Sequence, residues 1–401
     1  MVTTPNTLKS EIDEILPGVI ADRRHLHEHP ELGFQEHETA AFVAQRLQTL
    51  GVEDIRTGIN KTGVTGLIHG TKPGAGKVVL LRADMDALPI TEENEVEYVS
   101  QNPGVMHACG HDAHTSILLG VARILMEKRS LFSGTVKVLF QPSEELFPGG
   151  AVGMIAEGVL EDPHVDAVFG LHMAQESPVG TVLISAGPIM AAPDSFKIDI
   201  QGKGGHAARP QAAIDPVVIG SEIVVAIQTL VSRETDPMDN AVVSTTYFNS
   251  GDAFNVIPDI ASLGGTVRTF KPETRDYMEK RLPELVEGVG AALGAKVEAT
   301  FTRGYPATVN DPEQAERVRQ AAIKVVGEEK VLPKKPAMGG EDFSYFLEQR
   351  PGAYFFVGTK NEEKGLIWGH HHPRFDIDEE SLGVGIETTV ETVFSYLNDE
   401  A

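Results

Sequence analysis

His107-Ala108-Cys109-Gly110-His111-Asp112-Ala113-His114 is the stretch from which the fold and the chemistry of this chain are read. It gathers three histidines, an aspartate and the single cysteine of the protein within eight residues. Imidazole, thiolate and carboxylate groups bind zinc and other borderline divalent ions, and each is costly to bury without a partner. The alternative is a polar loop in which Asp112 caps the following helix and the histidines are solvated. The composition of the stretch favours a metal site.

Apolar runs on both sides of this stretch predict strands that end on metal-capable side chains. The runs are Val78 to Leu81 before Arg82-Ala83-Asp84-Met85-Asp86, Val136 to Gln141 before Pro142-Ser143-Glu144-Glu145, and Ala167 to Leu171 before His172. Open α/β sheets place their active sites at the carboxyl ends of their strands. Each motif alone has a plainer explanation, such as an Asx turn, a solvated acidic loop or a structural histidine. Their repetition favours a metal site at one edge of an α/β sheet.

The first predicted helix covers residues 6–29 and is expected to break at Pro17 and Gly18. Near its end, His25, His27 and His29 are spaced by two residues and therefore cannot share one helical face. We interpret them as part of a solvated helix end rather than as metal ligands. Further helices are predicted over residues 36–49, 112–129 and 379–397.

The C-terminal part of the chain carries two further polar motifs. Glu341 or Asp342 is expected to cap a short helix. The predicted strand Tyr354 to Gly358 leads into a loop with the sequence Trp368-Gly369-His370-His371-His372-Pro373. This triple histidine is either solvated or the source of one metal ligand, and the second interpretation is favoured.

From about residue 186 the pattern changes to β-α-β-β-α-β, which is typical of a ferredoxin-like unit. The predicted elements are strand Phe196 to Gln201, helix 215–232, strands Val242 to Asn249 and Ala261 to Phe270, helix 273–292 and strand Lys296 to Thr302. We therefore expect residues 1–185 and 304–401 to form an α/β catalytic domain, with a small α+β domain inserted over residues 186–303.

Length and charge limit the possible functions. A chain of 401 residues suggests more than one core. The net charge of −24 argues against nucleic acid or an anionic membrane as a partner. The N-terminus lacks a basic region followed by an apolar run, so we expect a cytoplasmic protein. One cysteine cannot form an intrachain disulfide, which leaves Cys109 as an inert thiol, a nucleophile or a ligand.

If the strand ends converge, the site offers Cys109, His111, Glu145, His172 and one histidine of the triple run. Five protein ligands exceed the three or four of a mononuclear zinc site and favour two metals. Glu144 is then placed to take a proton from water and return it to a leaving nitrogen. The expected reaction class is amide hydrolysis.

The motifs HACGHDAHT, RADMDALP, PSEE, GLHM, GKGGHAARP, GDAFNVIP, GGEDFSYF and HHHPRFD, in this order, resemble the amidohydrolase branch of the di-metal aminoacylase and carboxypeptidase family. The resemblance covers nearly the whole chain. It implies a three-layer metallopeptidase-like catalytic domain, and an inserted domain that serves as lid and dimerisation domain. The implied partner is thus a second copy of the chain, in a homodimer.

Carried over by motif, the resemblance assigns a role to each candidate site residue. The implied metal ligands are Cys109, His111, Glu145, His172 and His371, with His370 as the competitor for the last position. Glu144 corresponds to the general base and Asp86 to the aspartate that supports the metals. His206, Asn255 and Arg268 resemble groups that contact the substrate, the first two in many relatives from the partner subunit.

The implied function is metal-dependent hydrolysis of N-acyl amino acids with two divalent ions, which are zinc, manganese, cobalt or nickel. An alternative is a metallo-carboxypeptidase or dipeptidase acting on short peptides. A second alternative makes Cys109 the nucleophile, with His111 or His107 as base. A third is a non-catalytic module with a structural metal.

Overall fold

The computed structural model describes residues 5–74 and 76–399. The outermost residues of the first and last predicted domain segments, 1–4 and 400–401, lie outside this range. The chain divides into two compact units. The larger unit comprises Met1–Ile189, Val309–Lys335 and Asp342–Ala401, and the smaller unit comprises Met190–Thr308 and Pro336–Glu341.

The helices are α1 Pro5–Glu28, α2 His37–Leu50, α3 His111–Glu127, α4 Ala151–Ala156, α5 Pro216–Thr229, α6 Pro272–Ala292, α7 Pro312–Val326, α8 Ser344–Gln349 and α9 Glu380–Leu397. The strands are β1 Glu53–Ile59, β2 Gly63–His69, β3 Val78–Asp84, β4 Thr135–Gln141, β5 Ala167–Pro178, β6 Val182–Leu183, β7 Gly187–Met190, β8 Ala192–Gln201, β9 Gly205–His206, β10 Ala241–Asn249, β11 Val256–Ile257, β12 Ile260–Thr269, β13 Lys296–Thr302, β14 Thr308–Asn310, β15 Val331–Leu332 and β16 Gly352–Lys360.

The larger unit is built on a mixed sheet with the strand order β1-β2-β4-β3-β5-β16-β6-β15. At its centre, β3 runs parallel to β4 and β5, and β5 runs parallel to β16. Every residue of β3 is buried, as expected for a strand covered on both faces. The carboxyl ends of these parallel strands lie at one edge of the sheet, where the sequence placed the polar motifs. The predicted α/β class is confirmed.

Helices α1, α3 and α9 pack against one another over this sheet. The predicted break at Pro17 is wrong, because α1 is one helix with the proline inside it. Ile12, Ile15 and Val19 bury their side chains on either side of Pro17. Burial of such side chains gains about 1.5–3 kcal/mol each, which offsets the roughly 3 kcal/mol that an internal proline costs.

The smaller unit contains an antiparallel sheet with the order β10-β12-β8-β13 and the helices α5 and α6. This is the predicted ferredoxin-like order of elements. Within the described residues, the segment Pro216–Glu234 alone is long and apolar enough to cross a membrane by length and composition. Its residues Ile219, Ile223 and Ile227 are buried in the core of this unit. A core helix of a soluble domain passes the same test.

Two local predictions differ from the structure. Strand β5 continues to Pro178, so that His172 lies within the strand instead of following it. The residue that precedes α8 is Phe343, which makes no capping hydrogen bond, and Asp342 accepts hydrogen bonds from Arg82 and Gln141 at 2.8 Å. A buried guanidinium that needs a carboxylate outweighs the capping role that the local sequence suggested.

Candidate metal centre

Metal-capable side chains of the larger unit converge at the carboxyl edge of its sheet. Their potential ligand atoms form groups within which all distances are at most 4.8 Å. Three of these groups are Cys109 with His111 and His172, Cys109 with Glu145 and His371, and His111 with Glu144 and Glu145. The structure thus brings together all five ligands that the resemblance implied, along with the implied base. Cys109 is common to the first two groups.

Gly110 lets the chain turn between Cys109 and the start of α3. Its φ of +87° lies in the left-handed region, and it precedes the first helical residue, His111. A Cβ atom at this position would lie 3.2 Å from the side chain of Met173. Backbone conformation and close packing both require glycine here. The turn leaves Cys109 just before the helix and His111 in its first turn.

Hydrogen bonds leave one nitrogen of each candidate histidine available. The Nδ1 of His172 lies 2.7 Å from the backbone oxygen of Met173 and donates to it, while its Nε2 lies 3.5 Å from the Sγ of Cys109. The Nδ1 of His111 lies 3.3 Å from an oxygen of Asp86. The Nε2 of His111 is buried without a hydrogen bond to any described residue. Metal-binding histidines are held in this way, with the second ring nitrogen donating to an oxygen.

The turn after β4 is anchored by two carboxylates. Ser143 adopts a φ of +53° and donates its backbone N–H to Glu36 at 2.8 Å. The next two N–H groups, of Glu144 and Glu145, donate to the two oxygens of Asp86 at 2.9 and 3.0 Å. A strained serine is uncommon outside functional sites. Asp86 therefore holds His111 and both glutamates in place.

The C-terminal loop brings the triple histidine to the same edge. His371 has a φ of +64°, and its backbone N–H donates to Ala108 at 2.8 Å. Its Nε2 lies 3.1 Å from an oxygen of Glu145, but that oxygen makes no hydrogen bond to any described residue. The two atoms are neighbours without the alignment of a hydrogen bond. His370 is the more buried of the two, and its ring lies 5.1 Å from that of His172.

The charges of the centre suit a bound cation. Burial raises the pKa of the Cys109 thiol well above its usual range, and Glu145, Glu144 and Asp84 raise it further. Burial alone would lower the pKa of His111, but neighbouring carboxylates raise it to about 10. A site that penalises a thiolate and attracts a proton has an excess of negative charge. The buried Nε2 of His111, which makes no hydrogen bond to a described residue, and the soft sulfur of Cys109 fit a divalent metal ion.

A buried network below the centre was only partly visible in the sequence. The Nδ1 of His114 lies 2.6 Å from Asp84 and donates to it, while its Nε2 accepts the backbone N–H of Met173 at 2.9 Å. Arg82 donates to the other oxygen of Asp84 at 2.6 Å. The network fixes the strand that carries His172. The motif Arg82-Ala83-Asp84 indicated a buried polar group in the sequence, but it did not show that His114 is the hydrogen-bond partner of Asp84.

Asp112 and His27 require corrections. Asp112 does not cap α3; its buried carboxylate accepts hydrogen bonds from Arg23 at 2.8 Å and from His27 at 2.7 Å. His27 is fully buried rather than solvated. Spacing along the chain could not show that α1 packs against the start of α3. Asp112 is the neighbour of His111 in the sequence, so its hydrogen bonds to Arg23 and His27 help to hold His111 in position.

Opposing effects set the charge of His27. Burial and Arg23 lower its pKa, whereas Asp112 and Glu92 raise it, with a net increase to about 9. His27 is therefore protonated at neutral pH. Arg23 also donates to Asp376 at 2.8 Å, which ties α1 to the loop that follows the triple histidine.

The three predicted substrate-contacting residues lie in the smaller unit. His206 is in β9, which pairs with β11, and the backbone oxygen of Asn255 accepts the N–H of Ala207 at 3.1 Å. The Nδ1 of His206 accepts the N–H of Ala208 at 3.1 Å, so the proton of a neutral ring is on Nε2. Arg268 lies near the end of β12 and is half-buried. Its guanidinium has no hydrogen bond or ion pair within the described part of the chain.

Comparisons with known proteins assign the chain to a family. Peptidase family M20/M25/M40 matches residues 80–395. The chain belongs to this family. It is 42% identical over 381 residues to N-acetyl-L-cysteine deacetylase of Bacillus subtilis, covering 94% of this chain and 88% of that protein. It is also 42% identical to thermostable carboxypeptidase 2 of Saccharolobus solfataricus, covering 94% and 95% of the two chains.

A solved structure extends the likeness to the fold. The YxeP protein of Bacillus subtilis, described as a dinuclear metal-binding peptidase of family M20, is 35% identical to this chain. The TM-score is 0.85, and the match covers 97% of this chain and 99% of YxeP. This M20/M25/M40 family member therefore has the predicted α/β fold with an inserted α+β unit.

Proposed function

We propose that this protein hydrolyses the amide bond of N-acyl amino acids and releases a carboxylic acid and a free amino acid. The observation that carries this proposal is the position of Glu144. This buried carboxylate offers an oxygen within 4.8 Å of ligand atoms of His111 and Glu145, and its N–H is fixed by Asp86. A carboxylate held beside a metal centre is suited to act as a general base toward water. A binding module would have no need of it.

Two divalent ions would be held by Cys109, His111, Glu145, His172 and His371. We favour zinc, cobalt or nickel for the thiolate and imidazole ligands, and manganese for the carboxylate. When bound, the ions lower the pKa of water and polarise the amide carbonyl. His371 is chosen over His370 because it shares a group with Cys109 and Glu145.

The protein groups carry the proton and hold the geometry. Glu144 takes a proton from the attacking water and passes it to the leaving amide nitrogen, so that the product leaves as a free amine. Asp86 keeps the backbone of Glu144 and Glu145 in one position during this transfer. His206 is suited to donate from Nε2 to the carbonyl oxygen, because its Nδ1 already accepts a hydrogen bond.

The positions of the substrate-contacting residues support a homodimer. His206, in β9, and Asn255, just before β11, lie in the chain beyond the Gln201 and Ile260 ends of β8 and β12, whereas Arg268 is eight residues further along β12. At about 3.4 Å per residue, Arg268 is roughly 27 Å from that end. One small substrate cannot contact both ends. We propose that Arg268 serves one subunit and that His206 and Asn255 serve the site of the other.

Short peptides are the second candidate substrate class. One relative is named a carboxypeptidase and another a deacetylase of an N-acyl amino acid. Both reactions break an amide bond with the same proton transfers. The two classes differ only in whether the acyl side carries an amino group, so a substrate screen separates them. We also expect the enzyme to act in the cytoplasm on small molecules.

A cysteine nucleophile fits this site poorly. Nucleophilic cysteines have a lowered pKa. Burial raises the pKa of Cys109, and its nearest charged neighbours include Glu145 and Glu144. The environment favours a thiolate only when a metal ion is bound to it.

Glu144→Gln tests the proposal. The amide keeps the size of the side chain but cannot accept the proton of water, and removal of a general base costs typically 10²–10⁴-fold in rate. N-acetyl, N-benzoyl and longer N-acyl amino acids and dipeptides are offered to the metal-loaded wild type and variant. We expect the variant to retain both metal ions and to lose turnover by that factor on every substrate that the wild type accepts.

Glu157→Gln is the matched control. Glu157 accepts the backbone N–H of Asn60 at 3.0 Å and belongs to none of the site groups named above. This variant should hydrolyse the same substrates at the wild-type rate. Wild-type turnover by Glu144→Gln would refute the mechanism, and hydrolysis of dipeptides alone would replace the proposed substrate class.

A further inference from the structure

The last turns of α1 display polar side chains on two opposite sides. His27 points inward and is fully buried, while His25 is exposed and His29 is partly exposed. His25 and His29 are four residues apart, and their ring centroids are 4.6 Å apart. Glu28 lies between them in the sequence and is also partly exposed. Residues three and four positions apart on a helix share one face.

We propose that His25, Glu28 and His29 form a further divalent-metal site, sharing no residue with the centre around Cys109. Each offers one ligand atom, and these atoms lie within 4.8 Å of one another. Two histidines four residues apart on one face of a helix bind zinc in known motifs. His29 directly follows Glu28, the last residue of α1, and its ring still lies beside that of His25. Imidazole pairs with a carboxylate suit zinc, nickel and copper ions.

The hydrogen bonds around the pair prepare it for a metal ion. The Nδ1 of His29 lies 2.8 Å from the backbone oxygen of His25 and donates to it, which leaves Nε2 as the ligand atom. The ring of His25 packs against Phe42 of α2 at 4.8 Å, and this contact limits its rotation. Burial and the neighbouring His29 lower the pKa of His25, which favours the neutral ring that binds a metal ion.

Nearby carboxylates differ in their availability. Glu31 lines the same surface cleft, but its oxygens accept the N–H groups of His37, Glu38 and Thr39 at the start of α2. The carboxylate of Glu28 has no hydrogen bond to any described residue. Glu28 is therefore the carboxylate that can turn to an ion. Three protein ligands leave positions for water, so the ion is expected to exchange readily.

An ion bound here would stabilise the part of α1 that holds Asp112 in place. The same turns carry Arg23 and His27, which hold Asp112 next to His111. Crosslinking His25 to His29 restrains the end of α1 and so stabilises this contact. We expect the ion to raise the thermal midpoint of the metal-loaded enzyme as the free metal concentration increases.

The test is calorimetric titration of the metal-loaded, gel-filtered full chain with Zn²⁺. The wild type should take up one further ion per chain, and the double variant His25→Ala/His29→Ala should not, while its content of tightly bound metal stays unchanged. His37→Ala is the matched control, because this exposed histidine at the start of α2 lies outside the group and should leave the uptake intact. Cu²⁺ added to the wild type should give an electron paramagnetic resonance spectrum with two nitrogen ligands, which is lost in the double variant.

Three results would overturn the proposal. The first is that the wild type takes up no further ion, and the second is that the double variant takes up the same ion as the wild type. The third is loss of the ion in His372→Ala, which would place it in the C-terminal loop. Far-ultraviolet circular dichroism of both alanine variants establishes that a loss of uptake is not a loss of folding.

Discussion

Replacing Asp86 with asparagine tests how the metal centre is held together. Its carboxylate accepts the N–H groups of Glu144 and Glu145, one on each oxygen, and lies 3.3 Å from the Nδ1 of His111. Asparagine keeps the shape but has only one accepting oxygen, and its NH₂ group would face a donor. At least one hydrogen bond to a charged acceptor is therefore lost, at a cost of about 1.5–3 kcal/mol.

We expect metal affinity, measured by competition with a chromophoric chelator, to fall roughly 10- to 100-fold, which is the fold-change equivalent to this cost. The kcat/KM for an N-acyl amino acid should fall by the same factor. Losses of this size are usual when a residue that holds a metal ligand is replaced. The thermal midpoint of the metal-free protein should also fall, because the hydrogen bonds from Glu144 and Glu145 to Asp86 are present without metal.

Asp166→Asn is the matched control for this prediction. Asp166 accepts the backbone N–H of Val78 at 2.7 Å. Val78 begins β3, and Asp86 follows the other end of this strand. Its replacement also removes a hydrogen bond to a charged acceptor, but it does not touch the centre, so metal affinity should remain that of the wild type. If Asp86→Asn bound metal and turned over substrate like the wild type, the assignment of Asp86 as the support of the centre would be wrong.

Three further predictions concern the buried network and the metal. Arg23→Met leaves two buried carboxylates, Asp112 and Asp376, without their guanidinium. We expect its free energy of unfolding, measured with urea, to fall by about 3–5 kcal/mol. The control Arg46→Met breaks a more exposed ion pair and should lower the free energy of unfolding by at most about 1 kcal/mol. The pKa of His27 is raised to about 9 in the folded protein. The contribution of protonated His27 to the free energy of unfolding is therefore complete below about pH 6.5 and is lost as the pH rises through 9. His27→Gln should therefore flatten the fall in unfolding free energy over that interval, and an unchanged slope would contradict the assigned charge. A chelator should abolish turnover, and added divalent metal should restore it, whereas activity in the stripped protein would indicate a nucleophilic thiol.

Local pattern determined much of the architecture. The continuous apolar run before Asp84 predicted a buried parallel strand, and the order β-α-β-β-α-β predicted the ferredoxin-like unit, because side-chain periodicity and element order are written along the chain. The same reasoning placed Glu145 after a predicted strand and Cys109 before a predicted helix, and the structure brings ligand atoms of the two residues within 4.8 Å of one another. Their assignment as metal ligands remains a proposal.

Tertiary structure alone decided which polar side chains support this site. Asp112 and Arg23 are 89 residues apart in the sequence, and only the packing of α1 on α3 makes them a buried pair. The same packing buries His27 and lets α1 continue through Pro17. Burial depends on elements that are distant along the chain, so no local spacing could reveal it. The stretch from His107 to His114 by itself indicated a metal site, while long-range packing decided that Asp112 supports this stretch through Arg23 and His27 instead of capping the helix.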